Sequence, residues 1–237
     1  LSKMAVVEVG PAGGDDPPPS PRWDGDAAHV AYLVRHAGAP GVVNASRELR
    51  IVRLEPAAVG ALEGSVSQQA DESTAFDVVW PDGAPADGGV PAAIAAWDED
   101  ARIAPGRFLP DRGVVKVQLL AKGEKARIVS PDGSDAESPR LLARPGGFWL
   151  AWLARRVEEQ DAGYAVESPA ERSGFRFVEL DALDARGEPA SAVRRVSPER
   201  GSAAAFELAR GAAGELVVLV QDETASREGA GARVVRH

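Results

Sequence analysis

The 237-residue sequence contains no cysteine, one methionine, three histidines and few aromatic residues, which make up 5% of the chain. Without cysteine there is no disulfide, no thiolate metal site and no cysteine nucleophile. Because no histidines occur at ligand spacing, we expect no metal site and no cofactor. No apolar run approaches the roughly 20 residues that a membrane-spanning helix requires. These absences remove the most common sequence signatures of thiol enzymes, metalloenzymes and membrane proteins.

Acidic side chains outnumber basic ones by 36 to 27, which gives a formal net charge of −9 at pH 7. Such a chain is repelled by nucleic-acid phosphates and anionic lipid surfaces, so we expect neither as a main partner. Hydrophobic residues make up 44% of the chain, enough for a buried core. The length fits a single domain over residues 1–237. The Ala-, Gly- and Pro-rich composition is typical of a bacterial protein, and the lack of cysteine suits an exported or periplasmic location, with a cytoplasmic one left open.

Short apolar segments, rich in valine, isoleucine, phenylalanine and tryptophan, recur along the chain between turn signals. Several alternate with a period of two, and no convincing amphipathic helix is present, so the pattern predicts an all-β fold. The stretch 10–20 contains three consecutive prolines and predicts a linker. The segments predicted as strands include 5–9, 29–34, 49–54, 75–80, 114–120, 148–153, 175–180 and 215–220.

The two halves of the chain resemble each other at an offset of about 120 residues, which indicates an internal duplication. The matches occur in the same order in both halves. Ser-Pro-Arg at 20–22 recurs at 138–140, Phe-Asp at 76–77 recurs as Phe-Glu at 206–207, and Asp-Glu at 98–99 recurs at 222–223. Each copy is predicted to hold about eight strands, but the second copy is one strand short, and residues 4–9 are a candidate for the missing strand.

This layout resembles that of β-propeller repeat proteins, in which the last blade is closed by a strand from the other end of the chain. The resemblance implies four four-stranded antiparallel blades, the last closed by the N-terminal strand. The blades are predicted at about 21–69, 73–130, 138–197 and 202–237, the last together with 4–9. The alternative is half of a larger, for example eight-bladed, propeller that is completed by a second chain.

In a propeller, the loops that join the second and third strands of each blade share one face. These loops are predicted at 36–47, 99–112, 155–174 and 222–231, and long loops on a rigid scaffold commonly bind partners. We expect a protein or saccharide to bind there. Opposite charges on alternate blades fit ion pairs between blades, and also fit acids that bind a cation or arginines that bind an anion. The candidate ligand-binding residues, at the ends of the second strands, are Arg35, His36, Asp98, Glu99, Arg155, Arg156, Asp222 and Glu223.

The sequence therefore favours a non-catalytic binding or scaffold module. One alternative is a hydrolase or lyase with a carboxylate site near Asp98, Glu99 and Asp222, at the mouth of the channel. Another is a structural half-ring that requires a partner chain. No catalytic residue is assigned, because acids are plentiful and no spacing distinguishes two of them as an acid and base pair.

Overall fold

The computed structural model describes residues 18–23, 28–35, 47–54, 62–66, 75–81, 92–104, 107–121, 123–156, 176–197, 202–222 and 232–236. Within these ranges the chain forms fifteen β-strands and no helix, which confirms the predicted all-β class. The strands are β1 Ser20–Trp23, β2 Ala28–Arg35, β3 Arg47–Leu54, β4 Leu62–Ser65, β5 Phe76–Val79, β6 Ile94–Ala104, β7 Arg107–Leu119, β8 Arg127–Ile128, β9 Ser134–Arg144, β10 Gly147–Arg156, β11 Phe177–Asp184, β12 Arg194–Arg195, β13 Ala203–Arg210, β14 Leu216–Asp222 and β15 Ala232–Arg236.

The strands form four antiparallel sheets in which each strand pairs with its neighbour in sequence. Sheet 1 contains β1–β4, sheet 2 contains β5–β8, sheet 3 contains β9–β12 and sheet 4 contains β13–β15. Within the described ranges sheet 4 has three strands, whereas the other sheets have four. A closed propeller is not detected in this part of the chain, and the closing strand expected at 4–9 lies outside it. The ring and its blade limits therefore stay predictions.

The first part of strand β6, residues 94–97, is covered on both faces, which explains why it is an unbroken apolar run. Ile94 and Ala96 pack in the core between sheets 2 and 3, whereas Ala95 and Trp97 pack in the core between sheets 1 and 2. None of the four is more than 1% exposed. Alternation of polar and apolar residues requires one face in water, so a strand that is buried on both faces lacks it.

Strand β10 has the same arrangement between sheets 2 and 4. Phe148, Leu150 and Trp152 pack toward sheet 2, whereas Ala151 and Leu153 pack toward sheet 4. The sequence from 150 to 160 also has some helical character, but a strand is predicted there, and over 150–156 that prediction is confirmed. Backbone pairing with β9 and β11 on its two sides fixes the segment as a central strand.

Three hydrophobic cores join the sheets in chain order, one between each sheet and the next. The first strand of a sheet packs against the sheet before it: β5 against β1, β9 against β5–β7, and β13 against β9–β11. Full burial of a Val, Leu or Phe side chain contributes about 1.5 to 3 kcal/mol, so these layers are the main source of stability.

Matching ion pairs join the sheets in the two halves of the chain. Arg22 Nη2 lies 3.2 Å from Asp77 Oδ1, which links sheets 1 and 2. Arg140 Nε lies 3.4 Å from Glu207 Oε1, which links sheets 3 and 4. Each arginine also donates from Nη1 to the carbonyl oxygen of the preceding proline. Equivalent residues thus make equivalent contacts, as expected of a duplicated sequence.

The last strands of sheets 2 and 3 also end in the same way. Val129 N–H donates to the Val115 carbonyl oxygen at 2.9 Å, and the Ser130 hydroxyl accepts from the Val115 N–H at 3.1 Å. Sheet 3 repeats both bonds between residues 196–197 and Val178, at 2.9 and 3.0 Å. Because this ending recurs in successive sheets, the structural repeat is one sheet, half the length of the sequence repeat.

One segment predicted as a loop is mostly strand. Strand β6 continues to Ala104 and β7 begins at Arg107, so much of 99–112 pairs as a hairpin. Register shifts between Asp100 and Ala104 mark bulges in this extension. The sequence there is charged, and the apolar signal used to predict strands is weak in it.

Candidate functional site

The described site residues at 35, 155–156 and 222 end the second strands as predicted, but Asp98 and Glu99 lie in the middle of β6, because that strand continues to Ala104. Arg35 ends β2, Asp98 and Glu99 lie within β6, and Asp222 ends β14. Residues 155–156 end β10. His36 and Glu223 lie outside the described residues. The role of all eight candidates in ligand binding stays a prediction. Four of them, Asp98, Glu99, Arg155 and Asp222, have contacts that show what each side chain does in the fold.

The Asp98 side chain links sheets 2 and 3 through hydrogen bonds. It is buried, and Oδ1 accepts a hydrogen bond of 2.7 Å from the Ala75 N–H at the start of β5. Its other oxygen, Oδ2, accepts a hydrogen bond of 2.9 Å from the Ser138 N–H of β9 in sheet 3. Both carboxylate oxygens are therefore engaged with backbone groups, one within sheet 2 and one across the junction with sheet 3.

Glu99 is also buried, on the opposite face of β6. It forms an ion pair with Lys116 of β7 and accepts a hydrogen bond of 3.2 Å from Trp97 Nε1. A buried charge needs such partners to offset the loss of its hydration. The contacts of Glu99 are thus those of a side chain that stabilises sheet 2.

Asp222 has a role in sheet 4 similar to that of Asp98 in sheet 2. It is buried, and its Oδ1 accepts from the Ser202 N–H, immediately before β13, at 3.3 Å. Strand pairing nevertheless places Gln221 at the position equivalent to Asp98, because Phe206 faces Val220 as Phe76 faces Trp97. A bulge between 203 and 205 accompanies this one-residue difference from the sequence match.

Arg155 forms an ion pair with Asp135, on the adjacent strand β9. Asp135 also accepts a hydrogen bond of 2.6 Å at Oδ1 from the Gly113 N–H of sheet 2. The pair thus lies on the junction between sheets 2 and 3, close to Asp98. Asp135 was not predicted, because its spacing in sequence gives no sign that β9 crosses the end of sheet 2.

Glu137 and Arg176 complete a group of charges at this end of the sheets. Glu137 Oε1 lies 3.2 Å from Arg176 Nη1, and both side chains are about 40% exposed, at 41% and 43%. Burial raises the pKa of Glu137, and the negative charges of Asp135 and Asp98 raise it further, while Arg176 and Arg155 oppose the rise. We call Asp98, Asp135, Glu137, Arg155 and Arg176 the rim cluster.

The rim cluster contains both acidic and basic side chains, and Glu137 and Arg176 are the most exposed of them. Within the described ranges, no three His, Asp or Glu side chains converge to hold a metal ion. The described part of the chain also contains no helix with the length and hydrophobicity needed to cross a membrane.

A groove of about 270 Å³ lies between sheets 3 and 4, near the same end. Its floor is apolar, and the Arg140–Glu207 ion pair lies at its side. The sequence matches already contained both members of this pair, but only the packing of β13 against β9 brings them together. Residues that line the groove include Ser138, Arg140, Phe206, Glu207, Leu219 and Gln221.

In comparison with known proteins, no protein-family model matches the chain, and no curated protein matches it in sequence.

Proposed function

We propose that the chain is a non-catalytic binding module, in which four sheets are consecutive blades of a β-propeller and the rim cluster binds a protein or saccharide. The order of the sheets supports the blade assignment. Each sheet is an antiparallel meander, and each packs face to face with the next one in sequence. Propeller blades have the same internal connectivity and the same stacking order.

One observation carries the non-catalytic assignment: the carboxylates of the hydrolase alternative already form hydrogen bonds and an ion pair within the fold. Asp98 and Asp222 accept hydrogen bonds from backbone N–H groups, and Glu99 forms an ion pair with Lys116. A general acid or base must reach a substrate proton, within hydrogen-bond distance or through one water. All three are buried, at 3%, 7% and 5% exposure for Asp98, Asp222 and Glu99, which favours a scaffold role over the hydrolase alternative.

The accessible part of the rim cluster supports polar recognition. The Arg176 guanidinium offers several donors and Glu137 offers acceptors; Glu137 lies on β9, which packs against sheet 2, and Arg176 immediately precedes β11. A preformed charged surface of this kind loses little conformational entropy when a partner binds. Hydroxyl and amide groups of saccharides and proteins both fit such donors and acceptors.

A charge-exchange variant tests this proposal while preserving the ion pair. The rim variant combines Glu137→Arg with Arg176→Glu. The control combines Arg127→Glu with Glu188→Arg, a pair that joins sheets 2 and 3 at the end away from the rim cluster, with N and O atoms 2.5 Å apart. Wild type and both variants are immobilised and exposed to an oligosaccharide array and to soluble proteins, and each retained partner is purified and titrated.

We expect a partner that binds wild type and the control with equal affinity and the rim variant at least about tenfold more weakly. Binding of every retained partner to all three proteins with the same affinity would contradict the assignment to the rim. Failure to retain any protein or saccharide would contradict the binding function itself.

A further inference from the structure

Among the described residues, the outer face of sheet 4 carries apolar side chains of β14 that are partly exposed. In β14, Leu216, Val218 and Val220 pack against sheet 3, while Val217 and Leu219 point away from it. Leu219 is 38% exposed. By strand pairing, Leu219 occupies the position of Ala96 in sheet 2, which is 0% exposed because sheet 3 covers it.

Sheet 1 has the complementary open face at the other end of the series. Trp23 in β1 is 66% exposed, whereas Leu141, its equivalent in sheet 3, is 6% exposed beneath sheet 2. Tyr32 is half-buried, whereas its equivalent Trp152 is fully buried. A large exposed aromatic residue such as Trp23 is typical of an interaction surface, and the Glu48–Arg50 ion pair lies on the same face of sheet 1.

The junction between sheets 2 and 3 indicates how these two faces fit together. There, Asp77 Oδ2 accepts from the Leu141 N–H at 2.9 Å, and β9 lies across β5 and β6. The counterpart of Asp77 in sheet 4 is Glu207, whose side chain is 65% exposed beside the groove. The counterpart of β9 is β1, so the groove is the position that a β1 strand would occupy.

We propose that sheet 4 of one copy packs against sheet 1 of a second copy, with β1 of that copy in the groove, and so reproduces the junction between sheets 2 and 3. The chain's own β1 does not fill the groove, because Trp23 and Leu219 are both exposed in the same structure. The two faces differ, so the contact is head to tail, and two copies that close on each other form a ring of eight sheets. This proposal does not depend on what binds at the rim.

Two single variants and their mixture test the head-to-tail contact. Trp23→Glu disables the face on sheet 1, and Leu219→Glu disables the face on sheet 4. Both residues are exposed, so each chain should fold, which circular dichroism and thermal melting check. Ile128→Glu is the matched control, because Ile128 is a large hydrophobic residue with 56% exposure outside both faces. Molar mass is measured by light scattering over a wide range of protein concentration.

We expect wild type and the Ile128 variant to have twice the 24.8 kDa mass of one chain. Each single variant should be monomeric, or should dimerise only at concentrations raised at least about tenfold. An equal mixture of the two variants should restore a dimer, because it retains one intact face of each kind. A monomeric wild type, or a mixture that stays monomeric, would overturn the proposal.

Discussion

At the scale of single residues, Asp181 is a buried carboxylate inside the core between sheets 2 and 3. It is 1% exposed, and cross-strand pairing places it opposite Leu150. Among the described residues, neither of its oxygens has a hydrogen bond of normal geometry. Burial raises the pKa of Asp181, while the Ala182 N–H and the Arg127 guanidinium offset part of the rise.

We expect Asp181→Asn to stabilise the protein at neutral pH. Because its pKa is raised, Asp181 holds its proton more tightly in the folded state than in the unfolded state. Its contribution to the free energy of unfolding is therefore favourable below the unfolded pKa and is lost as pH rises through the folded pKa. The variant should therefore gain about 1 to 3 kcal/mol in free energy of unfolding at pH 7 and little at pH 3. Urea denaturation across this range measures both, and a variant that is less stable at pH 7 would contradict the account.

Asp98 provides a second prediction, of opposite sign. Asp98→Ala removes the acceptor for the N–H groups of Ala75 and Ser138, so both lose their partner at a packed junction. We expect a loss of about 2 to 4 kcal/mol in the free energy of unfolding. Asp132→Ala, in an exposed turn, is the control and should change stability by less than about 0.5 kcal/mol. A loss no larger than that of the control would mean that Asp98 is not structural.

At the scale of strands, the sequence predicts best those segments that are themselves apolar because they are buried in a core. The predicted strands at 29–34 and 49–54 lie within β2 and β3. A short apolar run between turns is typical of a buried strand, so these two segments could be recognised from the sequence. The extension of β6 to Ala104 was missed, since its residues are charged and are held by pairing with β7.

In the candidate site, too, some residues could be located from the sequence and others could not. The order of the repeat located Arg35, Arg155 and Asp222 near the ends of their strands, but Asp98 and Glu99 lie in mid-strand because β6 continues to Ala104. Arg155 and Asp98 both contribute to the junction between sheets 2 and 3, each through its own partner.

Asp135 and Glu137 lie on β9, and Arg176 immediately precedes β11. Asp135 reaches Gly113 because β9 crosses sheet 2, whereas Glu137 meets Arg176 because β9 and β11 flank β10 within sheet 3. Sequence spacing contains no information on that crossing or on the strand order, so these three residues were not predicted.

The matching last strands of sheets 2 and 3 predict that the two sheets are stabilised independently by their serine hydroxyls. Ser130→Ala and Ser197→Ala each remove the hydroxyl that accepts from a backbone N–H of the third strand. We expect each variant to lose about 1 kcal/mol in the free energy of unfolding. The double variant should lose the sum, because the two serines lie in different sheets and share no partner. Thermal or urea unfolding measures this, and strong non-additivity would show that the two endings are coupled.

At the scale of the whole molecule, the cores formed by the described residues cover sheets 2 and 3 on both faces and sheets 1 and 4 on one. Amide hydrogen exchange should therefore be slowest in β6 and β10 and faster in β2 and β14 of the monomeric Trp23→Glu variant. In wild type, at concentrations where copies associate, β2 and β14 should exchange more slowly. Equal protection of β14 and β10 in the variant would indicate that the outer face of sheet 4 is covered within one chain.

The junction between the second and third sheets has a practical meaning for protein engineering. In the ring that we propose, successive sheets meet through the same kind of contact, so the curvature between neighbours, and not chain length, would set the number of sheets in the closed circle. A tandem fusion of two copies through a flexible tether would then make the full circle from one polypeptide, and its assembly would become independent of dilution.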